Sequence, residues 1–241
     1  MRRTIIHLRE TDSTNRYLRE LPDDGADMTV VYADFQTAGK GQGSNSWESQ
    51  PGQNLLMSVR VRPTMVPPTQ QFILSEAGAL ALGRVLSTYT DDITLKWPND
   101  IYWRDRKMSG TLIETAVGSH GLRRCIYGIG LNVNQQVFVS DAPNPVSLRQ
   151  ATGFELDVEQ VMLQVLDALE EELAIVVSGR FDDIRRRYHQ ALYRRTGLHA
   201  YRDGDGTFMA ELVAVEDDGH LVLRDEQGRQ RRYAFKEVAF V

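Results

Sequence analysis

Cysteine and long apolar runs are scarce in this chain of 241 residues. The single cysteine, Cys125, cannot form an internal disulfide, which favours a reducing compartment. No apolar run approaches the roughly 20 residues that span a bilayer, and the start, MRRTIIHLRE, lacks the apolar segment of a secretion signal. These absences predict a cytoplasmic protein that has no membrane partner.

Positive charge is not in excess either, since the net charge is -5. A DNA-binding protein normally presents a basic face, so we expect no DNA partner. The composition, 41% hydrophobic and 25% charged, is that of an ordinary globular protein with a substantial core. A chain of this length forms one large domain, or one domain with a small appendage.

Two common catalytic signatures are missing. The GxSxG motif of serine hydrolases and the HExxH motif of zinc enzymes do not occur. The histidines are scattered along the chain and have no ligand-like spacing: His7, His120, His189, His199 and His220. The sequence therefore argues against a serine hydrolase and against a histidine-bound metal centre.

Strand and helix patterns alternate in the first part of the chain. The polar cluster from Asp12 to Asn15 is typical of a helix start, and the PDDG segment (22–25) ends that short helix. A longer helical pattern runs from Pro68 to about Tyr89. Buried strands are predicted for MTVVYADF (28–35), NLLMSVRVR (54–62) and RRCIYGIGLNVN (123–134), and a three-stranded hairpin for TLKWPNDIYWRDRKMSGTLIETAV (94–117).

The pattern changes toward the C-terminus. Asp157 opens a long helix with an apolar stripe, and Gln160 is placed as in a capping box. A third helix is predicted for DDIRRRYHQALYRR (182–195). Short strands with tight turns then follow at even spacing, which is typical of a small β-barrel. We therefore expect two domains, residues 1–195 and residues 196–241.

The segment GKGQGSNSW (39–47) is a glycine-rich loop between two predicted strands. It lacks the spacing of a P-loop, and it fails the dinucleotide fingerprint because Ser44 stands at the third glycine position and a strand follows. One interpretation is a mobile surface loop. The other is an anion-binding loop, with Lys40 for charge and close-approaching backbone amides. Trp47 favours a loop that folds over a ligand.

Two further segments carry candidate site residues. KWPND (96–100) and DRKMSG (105–110) would bring Lys96, Lys107 and Asp100 to one side of the sheet, although a hairpin with solvated charges fits as well. GIGLNVN (128–134) places glycines inside a strand, where they accommodate either a bulge or a ligand lying against the backbone.

The order of these motifs resembles the biotin–protein ligases. The motifs are STN (13–15), QTAGKGQGSNSW (36–47), KWPNDIYWRDRKMSG (96–110) and GIGLNVN (128–134), and the resemblance extends over nearly the whole chain. It implies an α+β fold, in which a mixed sheet is backed by helices as in lipoate ligases, with a small C-terminal SH3-like β-barrel. It also implies an enzyme that uses ATP and Mg²⁺ to activate biotin as biotinyl-5'-AMP. The biotinyl group would then pass to a lysine of a biotin carboxyl carrier protein.

The resemblance implies roles for individual residues. Lys107 and Lys40 would be catalytic, with Lys107 bridging the biotin carboxylate and the phosphate. Mg²⁺ would be held mainly by the ATP phosphates, with Asp100 a possible ligand. The implied biotin-binding positions are Ser13, Thr14, Asn15, Gln36, Lys40, Gly41, Gln42, Lys107, Gly110, Gly128 and Gly130. The implied ATP- and adenylate-binding positions are Gly39, Lys40, Gly41, Gln42, Trp47, Lys96, Asn99, Asp100, Lys107 and Asn132.

The chain departs from the family pattern in two respects. The family's loop is commonly Gly-Arg-Gly-Arg, whereas Lys40 and Gln42 stand at the arginine positions here, so one charge and both bidentate forks are lost. Some relatives carry an N-terminal helix-turn-helix domain, and the STN motif begins here at Ser13. We therefore expect a short form without a DNA-binding domain, with a homodimer as one candidate assembly.

Two alternative functions remain open. A lipoate or octanoate ligase would share the fold, although Gln36 together with the STN motif favours biotin. A non-enzymatic RNA-binding module is the second alternative, in which the arginines of IRRRYHQALYRR (184–195) would contact RNA and the barrel would form its tail.

Overall fold

The computed structural model describes residues 2–43, 45–118, 121–140 and 143–241. Ser44 and His120, which the sequence arguments named, lie outside the described residues. Among the described helices none is long and apolar enough to cross a membrane.

A seven-stranded mixed sheet forms the larger part of the molecule, in the order β1-β2-β3-β7-β6-β5-β4. The strands are β1 (Arg3–Thr11), β2 (Met28–Gln36), β3 (Leu55–Val61), β4 (Ile93–Lys96), β5 (Asp100–Trp103), β6 (Arg106–Gly118) and β7 (Gly121–Leu131). Only β1 and β2 are parallel, and the remaining neighbours are antiparallel. The predicted buried strands and the three-stranded hairpin are confirmed. Strand β1 is absent from the predicted elements because it is an edge strand in which four of the nine residues are exposed and the other five are only partly buried.

Helices cover both faces of this sheet. They are α1 (Thr14–Glu20), α2 (Phe72–Leu86), α3 (Leu148–Thr152), α4 (Val158–Val177) and α5 (Phe181–Gln190). On one face α1 packs through Leu18 against Val31 and Ile126. On the other face α2 packs on the sheet and contacts α4 and α5. The predicted helix that starts at Pro68 is confirmed, with a 3-10 turn over Pro68–Gln70 before α2 itself.

The start of α4 and the end of α5 differ in one detail each from the sequence prediction. Asp157 caps α4 by accepting from the backbone of Glu159 and Gln160, whereas the reciprocal capping box occurs at α3. Helix α5 ends at Gln190 and not at residue 195. The reason is a sheet contact, since Leu95 on β4 donates to the carbonyl of residue 191 (2.9 Å) and accepts from the amide of residue 193 (2.8 Å). The segment after α5 is therefore held along the edge of β4.

A second, antiparallel sheet forms the C-terminal part, in the order β11-β10-β9-β8-β12. Its strands are β8 (His199–Asp203), β9 (Gly206–Val215), β10 (Leu221–Asp225), β11 (Gln230–Tyr233) and β12 (Ala239–Phe240). The expected small β unit with short strands is confirmed. Its hydrogen-bonded sheet is not closed into a barrel within the described part of the chain, because β11 and β12 are both edges.

The C-terminal sheet is fixed against the large sheet near the KWPND turn. The ring of Phe235 lies 5.4 Å from that of Trp97 and 6.0 Å from that of Phe72. The indole nitrogen of Trp97 donates to the Gly219 carbonyl at 2.9 Å. Apolar residues of both parts belong to one continuous core. The C-terminal sheet therefore forms a wall beside the KWPND turn, while the domain boundary at residues 195–196 stays a prediction.

Candidate functional site

The structure brings the separate sequence motifs around one cavity of about 870 Å³. Of the predicted site residues, all but Gly39 line it: Ser13, Thr14, Asn15, Gln36, Lys40, Gly41, Gln42, Trp47, Lys96, Asn99, Asp100, Lys107, Gly110, Gly128, Gly130 and Asn132. Gly39 lies behind the others, packed against the backbone and β-carbon of Trp47. A second cavity of about 580 Å³, beside the β5–β6 turn, contains none of these residues.

The cavity is positively charged although the chain as a whole is acidic. Its charged lining consists of Arg16, Arg19, Lys40, Lys96, Lys107 and Lys236 against Glu48, Asp100 and Glu114. That is six basic and three acidic side chains in a chain of net charge -5. A concave surface with an excess of cations attracts anions, so the cavity is suited to a ligand such as a polyphosphate.

One end of the cavity is lined mainly by neutral polar groups, with the carboxylate of Glu114 beside them. Ser13 caps α1 and lies at the start of the STN motif. The backbone amide and the hydroxyl of Thr14 both donate to the side-chain oxygen of Gln36, at 2.7 and 3.0 Å. The STN motif and Gln36 are separated in sequence, yet they share one hydrogen-bonded cluster, as the resemblance implies.

Two residues of this network were not predicted from the sequence. Ser58 on β3 is fully buried, and its hydroxyl lies within hydrogen-bonding distance of Thr14 (2.7 Å) and of the Asn15 carboxamide. Glu114 on β6 accepts from Asn15 at 3.1 Å. A polar residue inside the apolar run LLMSVRV was the available signal for Ser58, because buried hydroxyls need partners. Glu114 has no comparable signal in its strand.

Gly128 and Gly130 on β7 allow close approach, as predicted, but to side chains of the chain itself. A β-carbon on Gly128 would collide with the Asn15 carboxamide, whose nitrogen would lie 2.9 Å away. A β-carbon on Gly130 would collide with the indole of Trp47, with one ring carbon at 2.7 Å. Only residues without a side chain fit at these positions. The predicted approach of a ligand to this backbone therefore requires Asn15 and Trp47 to move or to share the space.

The glycine-rich loop is folded as a small hairpin over the cavity. Lys40 and Ser46 form an antiparallel bridge, and Trp47 donates its amide to the Gly39 carbonyl at 3.0 Å. The amide of Gly41 donates to the Asn45 carbonyl at 2.7 Å. That amide is satisfied within the loop and is not free to bind an anion in this conformation, while the role of the loop amides toward a ligand stays a prediction.

Trp47 fills part of the cavity. Its indole lies against Gly130, 3.1 Å from the position of a β-carbon on Gly110, and the ammonium of Lys107 lies 5.8 Å from the ring centroid. The indole nitrogen is buried and has no hydrogen-bond partner among the described residues. A buried N–H without a partner is rare and costs free energy. The indole is therefore available to donate to a ligand in the cavity.

Lysines and one carboxylate meet at the KWPND end. The ammonium of Lys107 lies 2.7 Å from a carboxylate oxygen of Asp100. The ammonium of Lys96 donates to the Tyr102 hydroxyl at 2.8 Å and lies 4.4 Å from the centre of that ring. Burial lowers the pKa of Lys96, with Asp100 acting in the opposite direction and Lys107 in the same one. The predicted gathering of two lysines and Asp100 on one side of the sheet is present.

Asn99 and Asn132, the two asparagines predicted to bind ATP or the adenylate, differ in the hydrogen bonds that their side chains already make. The Asn99 amide donates to the Thr111 carbonyl at 2.7 Å, and Thr111 donates back to the Asn99 carbonyl at 2.9 Å. Asn99 therefore holds the turn to β6. The Asn132 nitrogen donates to the Val146 carbonyl at 3.2 Å, while its side-chain oxygen is buried without a partner among the described residues. Asn132 thus presents a free acceptor at the cavity.

A candidate metal cluster elsewhere does not belong to this site. Glu216, Asp218 and His220 lie together on the β9–β10 turn, and none of the three lines the cavity. Both carboxylates are paired with Arg232 at 2.5 Å. Both carboxylates already bind one guanidinium and lie outside the cavity, so the cluster is not where an ATP-bound metal would lie.

Comparison with known proteins agrees with this arrangement. The description of the matching family model is biotin/lipoate A/B protein ligase family, and the match covers residues 8–134. The bifunctional ligase/repressor BirA of Bacillus subtilis is 33% identical over 240 residues, which are 95% of this chain and 72% of the relative. A biotin–acetyl-CoA-carboxylase ligase of Paracoccus denitrificans is 26% identical over 92% of this chain and 95% of its own length.

A solved structure matches almost the whole molecule. It is the biotin protein ligase from Aquifex aeolicus in complex with biotin and ATP, with a TM-score of 0.81 and 27% identity. The match covers 99% of this chain and 98% of that one, so it includes the C-terminal sheet as well as the large sheet.

Proposed function

Because this chain belongs to the biotin/lipoate A/B protein ligase family and is a biotin–protein ligase, we propose how its cavity performs the two steps of the reaction. Biotin and ATP first give biotinyl-5'-AMP and pyrophosphate. The biotinyl group then passes to a lysine of a biotin carboxyl carrier protein. The observation that carries this proposal is the single cavity in which a neutral polar end and a lysine-rich end lie side by side.

The neutral end would take the biotin ring. Thr14, Asn15, Gln36 and Ser58 form a buried network of amides and hydroxyls. The ureido ring of biotin is planar and uncharged, with one carbonyl acceptor and two N–H donors. Neutral groups that both donate and accept suit such a ring, whereas an unpaired buried charge would carry a desolvation penalty.

The lysine-rich end would carry out adenylation. The biotin carboxylate attacks the α-phosphorus of ATP, and two anions must come together for that attack. Lys107 would bridge the carboxylate and the α-phosphate, and Lys40 from the loop would neutralise the same region. Lys107 is held by Asp100 in this structure, at 2.7 Å. The ammonium would therefore exchange one carboxylate partner for the reacting anions when substrates bind.

Mg²⁺ is expected with ATP, and Asp100 fits as its single protein carboxylate. Mg²⁺ usually keeps several waters and binds through one or two carboxylates plus substrate phosphates. Asp100 lines the cavity and has a buried oxygen. When bound, the metal would neutralise charge on the phosphates.

The loop would protect the product of the first step. Biotinyl-5'-AMP is a mixed anhydride that water hydrolyses, and closing a site over such an intermediate excludes water. Trp47 already lies inside the cavity, and its buried indole nitrogen has no partner among the described residues. We propose that the indole shifts from Gly130 when the ligand enters and then covers it. The carrier's lysine would reach the anhydride from the open side.

ATP–pyrophosphate exchange tests the assignment and its nearest alternative. We expect exchange that requires biotin and Mg²⁺, followed by transfer of biotin to a carboxyl carrier domain. Exchange with lipoate or octanoate but not with biotin would overturn the substrate and leave the chemistry intact. Binding of RNA without any exchange would favour the non-enzymatic alternative.

A further inference from the structure

Lysine is rare in this chain and is concentrated in one place. There are four lysines and 24 arginines, so arginine is the usual basic residue of this protein. All four lysines line the same cavity: Lys40, Lys96, Lys107 and Lys236. The first three belong to the motifs described above, but Lys236 comes from the C-terminal sheet and was not predicted to be a site residue. Its placement among the other lysines indicates a role in the same site.

Lys236 stands in a turn that would normally hold glycine. The turn joins β11 to β12, and Glu237 donates its amide to the Ala234 carbonyl at 3.2 Å. The φ angle of Lys236 is 72°. Residues with a β-carbon adopt this left-handed conformation at a cost, and such positions usually carry glycine. We therefore expect the Lys236 side chain to have a function that offsets the free-energy cost of this backbone conformation.

The turn is held firmly, so the backbone position from which the Lys236 side chain extends is fixed. The preceding residue, Phe235, packs on Trp97 and Phe72 at ring distances of 5.4 and 6.0 Å. The Glu237 side chain accepts from the Ala234 amide at 2.7 Å. From this anchored turn the side chain of Lys236 extends to the tip of the glycine-rich loop, where its ammonium lies against Gly43.

The ammonium of Lys236 is free to bind an anion. Lys107 is paired with Asp100, and Lys96 donates to Tyr102. Lys236 forms no ion pair with any residue that the structure describes, and it is exposed at the mouth of the cavity. A cation at the mouth of a cavity, beside a loop with a neutral Gln42, lies where a multiply charged anion would enter or leave.

We propose that Lys236 binds the outer phosphates of ATP and stabilises the pyrophosphate leaving group. This inference rests on the proposed function. In the adenylation step a biotin carboxylate oxygen bonds to the α-phosphorus, and the bond from the α-phosphorus to the oxygen that bridges it to the β-phosphorus breaks. The electron pair of that bond leaves on pyrophosphate, and Lys236 neutralises the charge without transferring a proton. The C-terminal sheet is thereby part of the active site.

This role also accounts for the loop's missing charge. Lys40 alone carries charge in the Gly39–Gln42 segment, and the second arginine position of the family's common loop is neutral here. Lys236 lies against Gly43, next to Gln42, and so supplies a cation close to the position that lost one. The cation comes from a different part of the fold.

Lys236→Gly is the decisive variant, because it removes the charge and relieves the turn. We expect its melting temperature to equal or exceed that of the wild type. The KM for ATP in biotin-dependent pyrophosphate exchange should rise about tenfold or more, the scale of one charge-assisted contact. Inhibition of the forward reaction by pyrophosphate should weaken by a similar factor, and the KM for biotin should not change. Lys236→Arg should restore most of the affinity for ATP.

Arg202→Met provides the matched control, since Arg202 is an exposed cation on β8 of the same sheet and does not line the cavity. It should leave both KM values unchanged. A Lys236→Gly enzyme with wild-type KM for ATP and wild-type inhibition by pyrophosphate would overturn the inference. Equal increases in the KM values for biotin and for ATP would also overturn the inference. Wild-type protein without biotin-dependent exchange would instead refute the proposed function, so the two failures are distinguishable.

Discussion

Replacing Glu76 by glutamine should stabilise the protein at alkaline pH and leave its stability at acidic pH nearly unchanged. Glu76 lies on α2 and is only 3% exposed. One of its carboxylate oxygens is buried without a partner among the described residues. Burial raises the pKa of Glu76 from 4.5 to about 8, with Asp217 raising it further and Arg185 acting in the opposite direction.

The direction of this pH dependence follows from the number of protons that the folded and unfolded states bind. Between pH 4.5 and about 8 the folded state keeps a proton on Glu76 that the unfolded state has released. Stability therefore falls as pH rises through this window, and the loss is complete above the folded pKa. Each pKa unit corresponds to about 1.4 kcal/mol, so the loss is on the order of 5 kcal/mol at most. Glutamine has the same shape and no charge to bury.

Urea unfolding at about pH 5 and about pH 8.5 measures the effect through the free energy of unfolding. We expect wild type and Glu76→Gln to be similar at the lower pH, and the variant to be more stable by several kcal/mol at the higher pH. The control is Glu171→Gln on α4, where the glutamate side chain is 66% exposed and pairs with Arg84 on the surface. Parallel curves for wild type and Glu76→Gln across this range would refute the reasoning.

Two further predictions concern the cavity. Lys107→Ala should slow adenylation about a hundredfold or more. It should also lower the free energy of unfolding by about 1 kcal/mol, because the half-buried Asp100 loses its partner. Near-normal adenylation of this variant in a pre-steady-state assay would show that Lys107 has no catalytic role. Lys40→Ala should release biotinyl-5'-AMP faster than Gln42→Ala does, since a charge-assisted contact is worth about 1.5 to 3 kcal/mol and a neutral hydrogen bond about 1. Gln42→Arg should slow release or leave it unchanged. Stopped-flow off-rates, read from Trp47 fluorescence, decide this, and greater leakage from Gln42→Ala would point to loop geometry instead of charge.

Most functional groups of the site lie in short continuous segments of the sequence. The glycine loop, the KWPND turn and the DRK turn each place their functional groups within a few residues, so spacing alone indicates which groups are available. The signals for buried strands such as β3 and β7 also lie in short continuous segments, because an apolar run bounded by glycine or proline favours a strand over other structures. The predicted strands, the hairpin and the C-terminal β unit were therefore found without knowledge of the fold.

Other features depended on contacts between distant segments. Strand β1 forms only because β2 lies beside it, and α5 ends at Gln190 because the next residues bond to β4. The orientation of Trp47 against Gly130, and the use of the Gly41 amide inside the loop, follow from how the loop folds back on itself. No local pattern specifies such contacts.

The sequence by itself determined the family, the order of the motifs and three of the four lysines of the cavity. Only the tertiary structure decided which side chains meet at that cavity. Glu114 and Lys236 line it, Ser58 contacts the lining residue Thr14 from behind, and the three come from different strands or turns. The physical reason is that residue type and spacing encode local conformation, whereas burial and charge proximity arise when separate elements pack. Lys236 lies about 130 residues from Lys107 in the chain, and only the packing of Phe235 on Trp97 brings both to the same cavity.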